Sequence, residues 1–218
     1  MTSATTTRDR YGAVAVALAP AVMLVALVGH PFLVRLPDAA AVAEAVEQST
    51  TRWGVVHLLT AVGIILTALA FLAIRAWLRD AGEDRFSAWA LPWVILGSAL
   101  YALLPALEFA PMAAALIGGD VAGVQAALQP WFIAILASSA IIFTVGIVGF
   151  ARGIAVSKIL SPPLTTIVVS ALVVLAVSRF VPLGAVQFYV QAAAGVVALW
   201  PLAYQMWTSK VASSATAR

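Results

Sequence analysis

Long apolar runs, broken by short polar interruptions, account for nearly the whole chain. They cover residues 11–34, 53–77, 87 to about 110 (or 118 if helix persists through the prolines), 131–156, 164–181 and 183–207. Each is near or above the roughly 20 residues a helix needs to cross a bilayer. Backbone groups in lipid must be satisfied within the segment, and the two-residue alternation of membrane barrel strands is absent. The pattern predicts an all-α integral membrane bundle of six transmembrane helices. It divides the chain into a disordered leader over 1–10, one transmembrane domain over 11–207 and a tail over 208–218. The first run follows Arg8 and Arg10, as a signal peptide would. It is too long for a signal core and no small-x-small cleavage pattern follows it, so it is read as a retained span.

The polar interruptions predict an orientation. Arg8, Arg10, Arg75, Arg79, Arg85, Arg152, Lys158, Lys210 and Arg218 fall on one side of a six-span layout, and Arg35, Arg52 and Arg179 on the other. Cytoplasmic loops carry the excess of Lys and Arg, so both termini are expected in the cytoplasm and the protein in the plasma membrane. Tryptophans agree with an aromatic belt: Trp53 and Trp131 open spans from outside, while Trp77, Trp89, Trp93 and Trp207 lie at cytoplasmic ends. Trp200 sits deeper and does not fit. Two outer loops are longer than a turn. Asp38 and Asp120 are expected N-caps there, with Pro130 a stop. Both loops are read as connectors rather than as caps over a pocket.

Composition removes the soluble alternative. The chain of 218 residues is 63% hydrophobic and 10% charged, with a mean hydropathy of +1.05; a soluble domain is nearer half apolar and a quarter charged. With no cysteine there are no disulfides, thiolate metal sites or cysteine nucleophile. The net charge of +3 is spread along the loops, so nucleic acid is not an expected partner. The expected partners are the lipid bilayer and a homo-oligomer or membrane partner. No phosphate loop, HExxH or GxSxG motif occurs. "GFARG" sets Gly149 and Gly153 at a spacing that lets helices approach closely.

The chemistry left is a small set of polar residues in or beside the spans: His30, His57, Glu108, Arg179, Gln187 and Gln191. Counting 1.5 Å per residue from the span ends places all of them in the outer third of the bundle. Glu108 lies between Pro105 and Pro111. Each proline leaves a carbonyl four residues earlier without its helical donor, so the third span should bend or stop there. Such carbonyls are tolerated in lipid only where protein or water covers them, so Glu108 should face the interior and share a pocket with His57, and with His30 or Arg179. Glu108, His57, His30 and Arg179 are accordingly the candidate ligand or proton site. A bland reading stands beside this one, with a paired carboxylate bracing helices and imidazoles near the headgroups. His30, His57 and Glu108 also make the two-imidazole, one-carboxylate set used by zinc and non-haem iron. Haem between the histidines ranks below a divalent metal, because helix axes about 8 to 10 Å apart leave little room for a porphyrin. The expectation that ranks first is no cofactor.

The order "GHPF", an acidic Ala-rich segment, "RWGVVHLL", "FLAIRAWLR", "ALEFAPMA", "GIVGFARG" and "SPPL" resembles a group of small polytopic membrane proteins of high-GC bacteria that carry hypothetical or domain-of-unknown-function labels. The likeness covers roughly the first 165 residues. It implies an integral membrane protein and transfers no activity. The sequence therefore leads to a multi-pass protein with a polar pocket near the outer leaflet, binding or moving a small ligand, proton or cation. A structural or accessory subunit is the second reading and a membrane metalloprotein or enzyme the third; catalysis is left open, leaning against.

Overall fold

The structure, a computed structural model, describes the backbone of residues 2–215 and the side chains of residues 10–208. The expected disordered leader and the tail lie almost wholly outside the described side chains. Eight α-helices follow in chain order: α1 (Thr2–Gly29), α2 (Ala39–Gln48), α3 (Thr50–Asp80), α4 (Arg85–Leu107), α5 (Phe109–Leu116), α6 (Val121–Ser157), α7 (Pro162–Val177) and α8 (Gln191–Ala215). Among the described residues, six helical stretches are long and apolar enough to cross a membrane, α4 and α5 counting together as one.

The six spans form a ring in sequence order. α1 packs on α3, α3 on α4, α4 on α6, α6 on α7, α7 on α8, and α8 returns to α1. Arg10, early in α1, lies over the ring of Trp207, late in α8, at 5.7 Å from its centroid. Both ends of the domain therefore meet at one end of the bundle, as an even number of crossings requires. Phe71 of α3 fills the ring's centre, edge-on to Phe143 and tilted against Phe150 of α6. The tightest pairing, α4 with α6, depends on Gly97: a Cβ there would lie 2.6 Å from the backbone nitrogen of Phe143. Gly149 and Gly153 serve the same pairing from α6, against Ala90 and against Glu83 in the turn before α4. Their spacing is used within the chain.

The Glu108 end is more elaborate than loops that merely connect. Asp38 caps α2, its carboxylate accepting from the Ala41 N–H at 3.1 Å. Asp120 caps α6 by accepting from the Gly123 N–H at 2.8 Å. The helix then runs through Pro130, which does not stop it. At 1.5 Å per residue α6 is roughly 55 Å long, against a hydrocarbon core of about 30 Å. Its first turns therefore stand beyond the bundle, and α2 and α5 pack on them. α2 buries Val42, Ala43, Ala45 and Val46 in that contact. The segment is therefore more than a bare connector: α2 packs on α3, α5 and α6, and its Val42 lines the cavity described below. The segment is tied down by an antiparallel bridge in which Leu36 N–H donates to the Pro182 carbonyl at 3.3 Å and Gly184 N–H to the Val34 carbonyl at 3.1 Å. Any side chain at Gly184 would run into the Leu33 carbonyl.

Candidate functional site

The third span breaks at one residue. α4 ends at Leu107, α5 begins at Phe109, and Glu108 joins them. Pro105 and Pro111 bracket the break, each removing one helical donor. At the break itself the Glu108 carbonyl accepts from the indole N–H of Trp53 at 3.0 Å. That bond explains Trp53, which is buried and takes no part in an interfacial belt. Its place in the belt is corrected; Trp131, Trp89, Trp93 and Trp207 remain exposed on the bundle surface.

Trp53 also orients a histidine. One turn on, His57 donates Nδ1–H to the Trp53 carbonyl at 2.7 Å. His30 donates Nδ1–H to the Pro31 carbonyl, also at 2.7 Å. A carbonyl can only accept, so both protons are assigned to Nδ1, and Nε2 is the nitrogen each ring has left for a ligand. The two rings meet edge to face with centroids 5.0 Å apart. Trp53 and Phe188 complete the aromatic cluster around His30, at 5.1 and 4.5 Å. A π-helical turn over Ala185–Val190 delivers Phe188 there and puts Gln187 against the same cavity; such turns are frequent at functional sites. Arg52 closes the end of α1, Nε donating to the Gly29 carbonyl at 2.8 Å, as a cation at a helix C-terminus should. Burial holds the His30 imidazole down from its ordinary 6.5 to about 4, and the Arg52 cation acts in the same direction.

These groups surround one cavity of about 70 Å³, bordered by His30, His57, Thr60, Tyr101, Glu108 and Gln125, with Leu36, Pro37 and Val42 lining it from the α2 side. At 10–15 Å³ for each water it holds a handful of waters or one small ion. Gln125, in the first turns of α6, donates Nε2–H to Glu108 Oε1 at 3.2 Å. Glu108 Oε2 and Gln125 Oε1 are buried and have no protein partner. The neighbouring donors are largely committed: the Thr60 hydroxyl to the Val56 carbonyl at 2.8 Å, and the Gln187 amide to the Val181 carbonyl at 3.0 Å. The cavity is therefore rich in acceptors. A buried acceptor left unmade costs about 1–3 kcal/mol, more when charged, so the arrangement suits a species that brings donors or positive charge.

Glu108, His57 and His30 thus share one cavity, and Arg179 does not border it. The Arg179 guanidinium is stacked between the rings of Tyr101 and Phe143, at 4.1 and 3.8 Å from their centroids, with Tyr101 between it and the Glu108 cavity. Nor is it a loop charge, because it is 5% exposed. Two desolvated cation–π contacts give about 2 kcal/mol each, against several kcal/mol for burying an ion. Among the described residues, no group of three or more His, Asp or Glu side chains is placed to hold a metal ion. The expected set of His30, His57 and Glu108 therefore does not close: the two histidines and Glu108 share a wall of the cavity but not one coordination centre, and Gln125 engages one Glu108 oxygen. Sequence reasoning missed Trp53 and Gln125 as site residues. Trp53 looked interfacial, and Gln125 lay in a stretch read as a connector. No family model, curated protein or solved structure matches the chain.

Proposed function

We propose that the chain is a multi-pass plasma-membrane protein that binds a small cation or proton at the outer end of its helical bundle, as part of a binding or transport step. The observation that carries this reading is Glu108 Oε2, a buried carboxylate oxygen with no protein partner, in a cavity that also holds the unpartnered acceptor Gln125 Oε1. The orientation rests on the basic residues. With Arg179 buried and out of the count, the basic side chains among the described residues are Arg10, Arg75, Arg79, Arg85, Arg152 and Lys158 at the end where α1 begins, and Arg35 and Arg52 at the other. The positive-inside rule then puts the Glu108 end outside.

The test is a titration of the purified protein with protons, sodium, potassium, ammonium and methylammonium at fixed ionic strength, read by calorimetry and by the shift in thermal unfolding. Saturable binding of at least one of these, lost in Glu108→Gln while the variant still unfolds cooperatively, is the expected result. A wild type blind to all of them, or a Glu108→Gln protein that binds unchanged, would overturn it. Reporter fusions after Arg79 and Arg218 should behave as cytoplasmic and one near Asp120 as external; an external signal from the Arg218 fusion would refute the orientation.

A further inference from the structure

Arg179 presents the opposite imbalance. A guanidinium keeps its proton in proteins, so this side chain is a full positive charge within the bundle. Its Nε and Nη1 are buried and have no hydrogen-bond partner. No carboxylate among the described residues pairs with it; the ion pairs found there are Arg75 with Asp84 and Arg79 with Asp80, at the other end. The Tyr101 and Phe143 faces supply attraction but accept no N–H bond in the guanidinium plane. Arg179 borders a second chamber, of about 30 Å³, together with Gln191, Thr67, Pro20, Met23 and Leu175. Gln191 is buried there and its Oε1 is likewise unpartnered. The Thr67 hydroxyl is committed as a donor to the Gly63 carbonyl at 2.8 Å.

We infer that this chamber is a site for one small inorganic anion of halide size, held by the Arg179 guanidinium with Gln191 beside it. Charge sets the sign: an unpaired buried cation calls for an anion. Volume sets the size, since a chamber of about 30 Å³ takes two or three water-sized spheres and has no space for a phosphate ester or a lipid headgroup. Amide rotation lets Gln191 turn its NH2 toward the anion, exchanging its stranded oxygen for a donor. The site does not depend on the Glu108 cavity.

The experiment uses the full chain in nanodiscs of uncharged phosphatidylcholine. Thermal unfolding is compared in sodium gluconate, chloride, bromide, nitrate and sulfate at one ionic strength. Chloride and bromide should raise the midpoint saturably over gluconate, as a ligand bound only by the folded state does, and sulfate should not. Arg179→Met should weaken halide binding by at least about tenfold. Should that variant fail to fold, Gln191→Glu decides: a built-in carboxylate should raise the midpoint in gluconate and remove the halide effect. Glu108→Gln should leave the halide effect intact. Bromide should give an anomalous peak beside Arg179. Equal midpoints in chloride and gluconate, a halide effect that survives Gln191→Glu, or bromide bound elsewhere would each overturn the inference.

Discussion

Glu83 and Glu108 are the two carboxylates buried among the described residues, one at each end of α4. Their exposure is nearly the same, 5% and 6%, yet their surroundings are opposite. Glu83 precedes α4 and takes over its first amides: the Phe86 N–H donates to Oε1 at 2.6 Å and the Ser87 N–H to Oε2 at 3.2 Å. Both oxygens are spent, on groups the helix start would otherwise leave open. Glu108 sits where α4 ends, at a break made by prolines. One of its oxygens is met by Gln125 and the other by nothing in the protein. Burial of a carboxylate is therefore not by itself a sign of a site. What separates the structural carboxylate from the candidate one is an unspent acceptor that shares a cavity with other unspent acceptors.

The largest effect expected on stability is at Glu83. Glu83→Ala strands two amides at the start of α4 and should lower stability by about 3 kcal/mol, the range for losing charge-assisted bonds and a helix cap. Glu83→Gln keeps one acceptor oxygen and should lose about half as much. Neither should alter cation binding, and a binding defect in Glu83→Gln without unfolding would break the division between the two ends. Trp53→Phe comes next. It removes the donor on the Glu108 carbonyl and should cost about 1–2 kcal/mol, read as a lower midpoint in thermal unfolding. An unchanged midpoint would mean that water serves that carbonyl as well. Glu108→Gln should change stability by less than about 1 kcal/mol, because an amide oxygen still accepts from Gln125, while the cation titration described above goes flat. A large loss of stability at unchanged binding would make Glu108 a second Glu83.

How much of this the sequence could carry depends on whether the determinant is local. Span number, the helix break at Glu108 and the caps at Asp38 and Asp120 follow from composition, proline chemistry and side-chain reach, all local. The common level of His30, His57 and Glu108 follows from counting residues along helices of fixed rise. Contacts across the bundle do not follow. The Arg179 guanidinium reaches inward to the aromatic pair of Tyr101 and Phe143 rather than to Glu108. That outcome depends on how α7 is rotated against α4 and α6, which helices apolar on nearly every face do not encode in their periodicity. Gln125 was hidden because the boundary of α6 was judged from Pro130, which the helix absorbs. Trp53 was misread because tryptophan at a span end is usually interfacial, and its bond to the Glu108 carbonyl, on another helix, lies outside what one span's pattern encodes.

The smallest effect at neutral pH, and the sharpest probe of the Glu108 end, concerns His30. Its imidazole titrates near 4 in the folded protein, against 6.5 for an ordinary histidine, chiefly because it is buried. The unfolded chain therefore binds a proton at higher pH than the folded one. By linkage the stability attached to His30 is complete above about 6.5 and is lost as pH falls from there to about 4. The flanking groups that share this region, Arg52 and His57, stay in place in a single substitution. A difference between wild type and His30→Gln therefore reports His30 together with its coupling to the adjacent His57 ring, 5.0 Å away. At pH 7 the two proteins should unfold at nearly the same temperature, since a Gln amide can also donate to the Pro31 carbonyl. Below 6.5 the wild type should lose stability faster, so the difference curve slopes in that window and flattens below about 4. Thermal unfolding in a pH series between 7 and 3.5 measures it. A wild type that gains stability relative to His30→Gln on acidification would mean that the folded site holds the imidazolium, and the Glu108 cavity would then already contain the positive charge that its free acceptors are inferred to await.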